Sequence, residues 1–106
     1  MVQKHRRFAL FDVTLDGRAM GGTTVDAWQD DAGREWWAAR GMMSATWEDG
    51  EGLLAGTIRN GPYVTATVLV TGTRMGAPRD RNVLVDMHGV SPLRDETGKT
   101  WAGTST

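Results

Sequence analysis

Asp86-Met87-His88 is the one place in this chain where residue types and spacing together suggest acid/base or metal chemistry. Residues two apart on a β-strand share a face, so a carboxylate and an imidazole in this arrangement can orient one another or hold a metal between them. A metal needs a third ligand, and nothing singles one out among Asp12, Asp26 and the other acids. The simpler account places both on the solvent side of a strand whose other face is Val83, Val85 and Met87. His5 lies in a basic N-terminal run, where an ordinary exposed histidine suffices. The absence of cysteine removes thiolate ligands, cysteine nucleophiles and disulfides together. Ser44, Ser91 and Ser105 sit in no nucleophile-elbow context, and Gly21-Gly22 lacks the following helix that a phosphate cradle needs. Asp30-Asp31, Glu48-Asp49-Glu51 and Asp95-Glu96 fall in turns and miss the alternating pattern of a calcium loop. The expectation is a chain that is not an enzyme and carries no metal or cofactor.

Residues suited to binding are better represented. Five tryptophans, at positions 28, 36, 37, 47 and 101, stand beside only two Phe and one Tyr. Trp36 and Trp37 are adjacent, so on a strand they point to opposite faces, one toward a core and one toward a surface or cleft. Trp36, Trp37, Trp47 and Tyr63 are therefore candidates for contact with a partner or ligand. Arg74, Arg79 and Arg81, in the stretch 74–82, supply guanidinium groups for carboxylate or phosphate. Arginines scattered along an exposed loop are mostly solvated, and Asp80 dilutes them. The six Met, with Met42 and Met43 adjacent, read as packing filler and adaptable surface.

The elements that must carry these residues read as strands throughout. Gly61–Thr73 alternates Tyr63, Thr65, Thr67, Leu69 and Thr71 with Val64, Ala66, Val68 and Val70, a period of two in β-branched and aromatic types. The Val and Ala face belongs on a core; the Tyr, Thr and Leu face is mixed and belongs outside it. Phe8–Leu15 is a first strand, with Ala9, Phe11, Val13 and Leu15 on one face, and Asp16-Gly17 turns it into a second over Arg18–Gln29. Gly21-Gly22 marks a bulge or corner in that second strand, and Gly41 a corner further on. Asp30-Asp31-Ala32-Gly33-Arg34 and Asp95-Glu96-Thr97-Gly98-Lys99 repeat one turn chemistry, a type I turn closed by a left-handed Gly, and each is followed two residues later by a tryptophan. Glu35–Met43 favours a strand over a short helix at 32–41; Leu53–Arg59, Val83–His88 and a weak strand at Trp101 complete the set.

These readings give an all-β fold, a small antiparallel meander of six or seven strands closing into a barrel, with a two-layer sandwich or a barrel with one short helix at 32–41 as alternatives. Residues 1–106 form a single β domain, 106 being an ordinary length for one core. A net charge of -1 leaves no global field to attract nucleic acid or an anionic membrane. The apolar run after Arg7 stops at Asp12, too short for a signal peptide or a membrane span, so the expected location is cytoplasmic and no membrane partner is expected. The leading function is a binding or assembly module acting through protein-protein contact, most simply a homo-oligomer, over the Trp36/Trp37 region and the mixed face of Tyr63–Thr71. A small apolar or aromatic ligand held among Trp and Tyr side chains in the barrel mouth comes second, and a nucleic-acid module third.

Overall fold

A computed structural model of the chain describes residues 2–43, 50–75 and 83–104, the side chains of residues 2, 3, 74 and 75 excepted. Eight strands follow one another: β1 Val2–Leu15, β2 Arg18–Asp30, β3 Glu35–Met43, β4 Gly50–Ile58, β5 Tyr63–Met75, β6 Val83–Gly89, β7 Leu93–Asp95 and β8 Thr100–Ala102. The first six close a ring, β4-β1-β2-β3-β6-β5 and back to β4, with every neighbouring pair antiparallel. The barrel expected from the sequence is thus the fold, without a helix among the described residues; Glu35–Met43 is a strand.

Strand order departs from a simple meander at two joints. β1-β2-β3 and β4-β5-β6 are each three-stranded meanders, and their open edges seal against one another as β1–β4 and β3–β6. Consecutive strands β3 and β4 are therefore not neighbours. Closing the ring pairs each of the six strands on both sides over part of its length, and two antiparallel seals achieve this as well as one. The second departure is at β7, which pairs with β5 rather than with β6. β6 stops at Gly89, opposite Val68, while β5 continues to Tyr63. The gap that opens between β3 and β5 is covered by the β7–β8 hairpin, whose Leu93 and Ala102 are fully buried.

The core is the inside of the ring, built from Leu10, Val13, Leu15, Val25, Trp37, Leu54, Val64, Ala66, Val68, Val70, Val85 and Met87 among others. Val64, Ala66, Val68 and Val70 all face inward, as the alternation in β5 requires. In β1 the inward set is Leu10, Val13 and Leu15, while Ala9 and Phe11 are exposed. This corrects the expected Ala9, Phe11, Val13 and Leu15 face. The cause is a bulge: Asp12 has φ +51°, the register against β4 shifts between Phe11 and Thr14, and every residue beyond changes side. Gly22 on the adjoining strand has φ +53°, and Met20 and Thr23, three apart, both point inward. Two bulges thus lie side by side, bracketed by the pairs Leu10–Thr23 and Val13–Met20, and form the corner anticipated at Gly21-Gly22.

Gly41 is not a corner. It pairs regularly with Val85, and a Cβ there would lie 2.6 Å from Thr23 Oγ1 and 2.7 Å from Met20 Cε, so its role is close packing. Three of the expected turns hold, whereas Glu51, expected in a turn with Glu48 and Asp49, lies in β4, and Glu48 and Asp49 fall outside the described residues. Asp16 and Gly17 have φ +51° and +81°, the mirror-image turn suited to a two-residue hairpin. Gly33 and Gly98 have φ +82° and +88°, and each closes the same five-residue turn. Asp30 N–H donates to the Arg34 carbonyl at 2.9 Å, and Asp95 N–H to the Lys99 carbonyl at 3.0 Å. In both turns Oδ1 of the leading Asp also accepts from the backbone N–H two and four residues on.

Candidate functional site

On the outside of the ring, alternation and register arrange side chains in rows that cross the strands. One row is aromatic: His5 on β1 stands opposite Trp28 on β2, and Trp28 opposite Trp36 on β3. The three rings lie nearly parallel, with centroids 5.4 Å apart at 13° for His5–Trp28 and 6.1 Å apart at 17° for Trp28–Trp36. The next row runs Arg7, Asp26, Ala38, His88, Leu69, and the one beyond it Ala9, Thr24, Arg40, Asp86. Ala38 is the short side chain in the middle of this pattern. A cleft of about 670 Å³ lies over it, lined by Trp28, Asp26, Arg7, Arg40, Asp86 and His88 together with small residues and the apolar Leu84 and Met87.

Charges in the cleft come in opposed pairs. Asp26 Oδ1 accepts from Arg7 Nε at 2.7 Å and lies 2.8 Å from His5 Nε2. Arg40 Nε donates to Asp86 Oδ1 at 2.6 Å. Burial pushes the Asp26 carboxyl up, but the hydrogen bonds and charges of Arg7 and His5 outweigh it and hold the group below the ordinary aspartate value. The two Asp-led turns show the same direction. Asp30 is lowered first by the backbone N–H of Arg34, and Asp95 falls to about 2 first through the Thr97 hydroxyl and next the Trp101 indole N–H.

Asp86 and His88 do share an outer face, as their spacing requires, yet Asp86 is engaged by Arg40 across the β3–β6 seal. Among the described residues no three His, Cys, Asp or Glu side chains converge as metal ligands. Trp36 and Trp37 divide as their adjacency demands: Trp36 is 38 % exposed and Trp37 1 %. Trp37 fills the core end beneath the β7–β8 hairpin, its indole N–H donating to the Ser91 carbonyl at 3.0 Å, so it is a core residue and not a contact residue. Tyr63 is exposed at the start of β5, with the β7–β8 hairpin between that strand and the β3 that carries Trp36, and no ring contact joins the two. Arg74 sits on β5 opposite Leu84. Trp47, Arg79 and Arg81 lie outside the described residues.

The side of the ring formed by β4 and β5, diametrically opposite β2 and β3, is of another kind. Phe11, Thr57 and Tyr63 form one row across it, and Leu53 stands opposite Thr67, whose carbonyl accepts from Val90 N–H at 2.9 Å. Between these rows lie Thr14, Ala55 and Thr65. Of the six large hydrophobic residues exposed among the described residues, Phe11, Leu53, Tyr63, Leu69 and Val90 border this face and only Trp36 lies elsewhere. Charges stand at its rim, with Glu51 opposite Leu69 and Arg94 opposite Thr65.

Arg40 receives no functional reading from the sequence, and His5, Arg7, Asp26 and Trp28 are weighed there without being joined into one site. They alternate along their strands, but only the register between strands shows that they meet. Comparison with protein-family models, with curated proteins and with solved structures finds no match for this chain.

Proposed function

We propose that this barrel is a non-enzymatic binding module that works through protein-protein contact, and that its first partner is a second copy of itself. The observation that supports this reading is the β4–β5 face, where the exposed side chains of Phe11, Leu53 and Tyr63 stand in uncharged rows with Leu69 and Val90 at their border, and Asp16, Glu51 and Arg94 form the rim. A face without charge offers no sign for a complementary partner to match. What covers it best is another uncharged apolar face, and a two-fold arrangement of identical copies supplies one directly. The rigid strands beneath it present these side chains at low ordering cost.

Size sets the strength of the contact. Nine residues of β4 span about 30 Å, and three adjacent strands about 15 Å, which puts the patch at the small end of specific interfaces. The association is therefore concentration-dependent rather than obligate. The test is to record amide chemical shifts of the whole chain over a dilution series. Shift changes concentrated on Phe11, Leu53–Thr57 and Tyr63–Leu69 are expected; spectra independent of concentration, or changes confined to the Trp28–Trp36 side, would remove this face as the contact.

An apolar ligand inside the barrel is less well supported, since the ring interior is filled by the side chains of the core.

A further inference from the structure

We propose that the cleft over Ala38 is a binding site for an uncharged, hydroxyl-rich ligand, of the size and chemistry of a mono- or disaccharide. At about 670 Å³ the cleft falls within the range of small-molecule sites. It is hollow because Ala38 stands between Asp26 and His88 in its row, where any larger side chain would fill it. Its walls are strand residues held by cross-strand pairs, so the polar groups are fixed before a ligand arrives.

The choice of ligand follows from how those groups are used. Arg7 and Arg40 each direct Nε to a carboxylate, and their terminal nitrogens have no hydrogen-bond partner among the described residues. Asp26 takes both of its donors on Oδ1, and Oδ2 has none among the described residues. His88 is exposed at the rim with neither ring nitrogen engaged among them. The cleft thus offers unused donors and an unused acceptor side by side, while each guanidinium already faces a carboxylate. A ligand of either charge would be attracted by one member of each pair and repelled by the other, which stands directly beside it. A hydroxyl donates and accepts at once. A pair of neighbouring hydroxyls can therefore accept from the Arg7 guanidinium and donate to Asp26 Oδ2 with that pair intact. Trp28, its faces covered by His5 and Trp36, presents its ring edge to the cleft as an apolar border.

The experiment is calorimetric titration of the full chain with a panel of neutral mono- and disaccharides, and in parallel with inorganic phosphate and with arginine. Saturable binding of at least one sugar is expected, with phosphate and arginine giving no heat of binding. Ala38→Phe should weaken the sugar about tenfold or more by filling the hollow, and Arg40→Gln should do so without adding bulk. Two variants are used so that a failure of one to fold does not decide the result. Leu53→Asp, on the far side of the ring, should leave sugar binding unchanged, which separates this site from the contact face. No binding by any sugar, binding of phosphate or arginine instead, or sugar binding that survives in both cleft variants would overturn the assignment.

Discussion

Gly89 shows how much of this fold rests on single residues. A Cβ at that position would collide with Cε2 and Nε1 of the Trp37 indole, the largest side chain in the core. Gly89→Ala is expected to destabilise the barrel by about 1–3 kcal/mol, measured as the shift of a urea unfolding curve, because the indole is held by its bond to Ser91 and cannot move aside freely. Thr23 makes the opposite case. Its hydroxyl is buried against Gly41 and finds no hydrogen-bond partner among the described residues. Thr23→Val removes an unsatisfied oxygen at nearly constant volume and is expected to leave stability unchanged or raise it by up to about 1 kcal/mol in the same assay. The division of Trp36 from Trp37 was legible in the sequence, because a period of two forbids both on one side. Which of them enters the core was not, since that depends on which face of β3 the ring closes upon.

At the scale of the element, turns were the most legible feature and bulges the least. The chemistry of Asp30-Asp31-Ala32-Gly33-Arg34 and its counterpart at Asp95–Lys99 is contained in five residues, so local rules suffice. The bulge at Asp12 has no such signature, since a left-handed aspartate is stabilised there by the ring bending around it. These turns and the Arg7–Asp26 pair carry a consequence for pH. Folding lowers Asp26, Asp30 and Asp95 below their ordinary value of 3.8, Asp95 to about 2. A carboxyl lowered in this way stabilises the fold above its unfolded value and ceases to do so as pH falls toward its folded one. Stability should therefore decline between about pH 4 and pH 2, followed by the urea midpoint as a function of pH. Asp95→Asn is expected to flatten that decline and to speed amide exchange in β7 and β8, leaving exchange in the ring strands unaltered.

For the whole molecule, the sequence supported an all-β barrel but not its strand order, because the β1–β4 and β3–β6 seals join residues that no local pattern links. The candidate sites were legible to the same extent. The mixed face of β5 was visible as alternation, whereas its extension over β4 to Phe11, and the cleft on the opposite side, required the register. The resulting barrel has two unlike sides: an uncharged apolar one over β4 and β5, and one of paired charges and stacked rings over β2 and β3.

The apolar side is the center of the functional account, and sedimentation equilibrium of the full chain over a wide concentration range tests it most directly. The wild-type mass should rise from monomer toward dimer as concentration increases, while Leu53→Asp, which replaces one of the exposed apolar side chains of the face by a carboxylate, should remain monomeric with an unchanged unfolding midpoint. A wild-type chain that stays monomeric throughout, or a Leu53→Asp variant that associates as the wild type does, would contradict the claim that this face makes the contact.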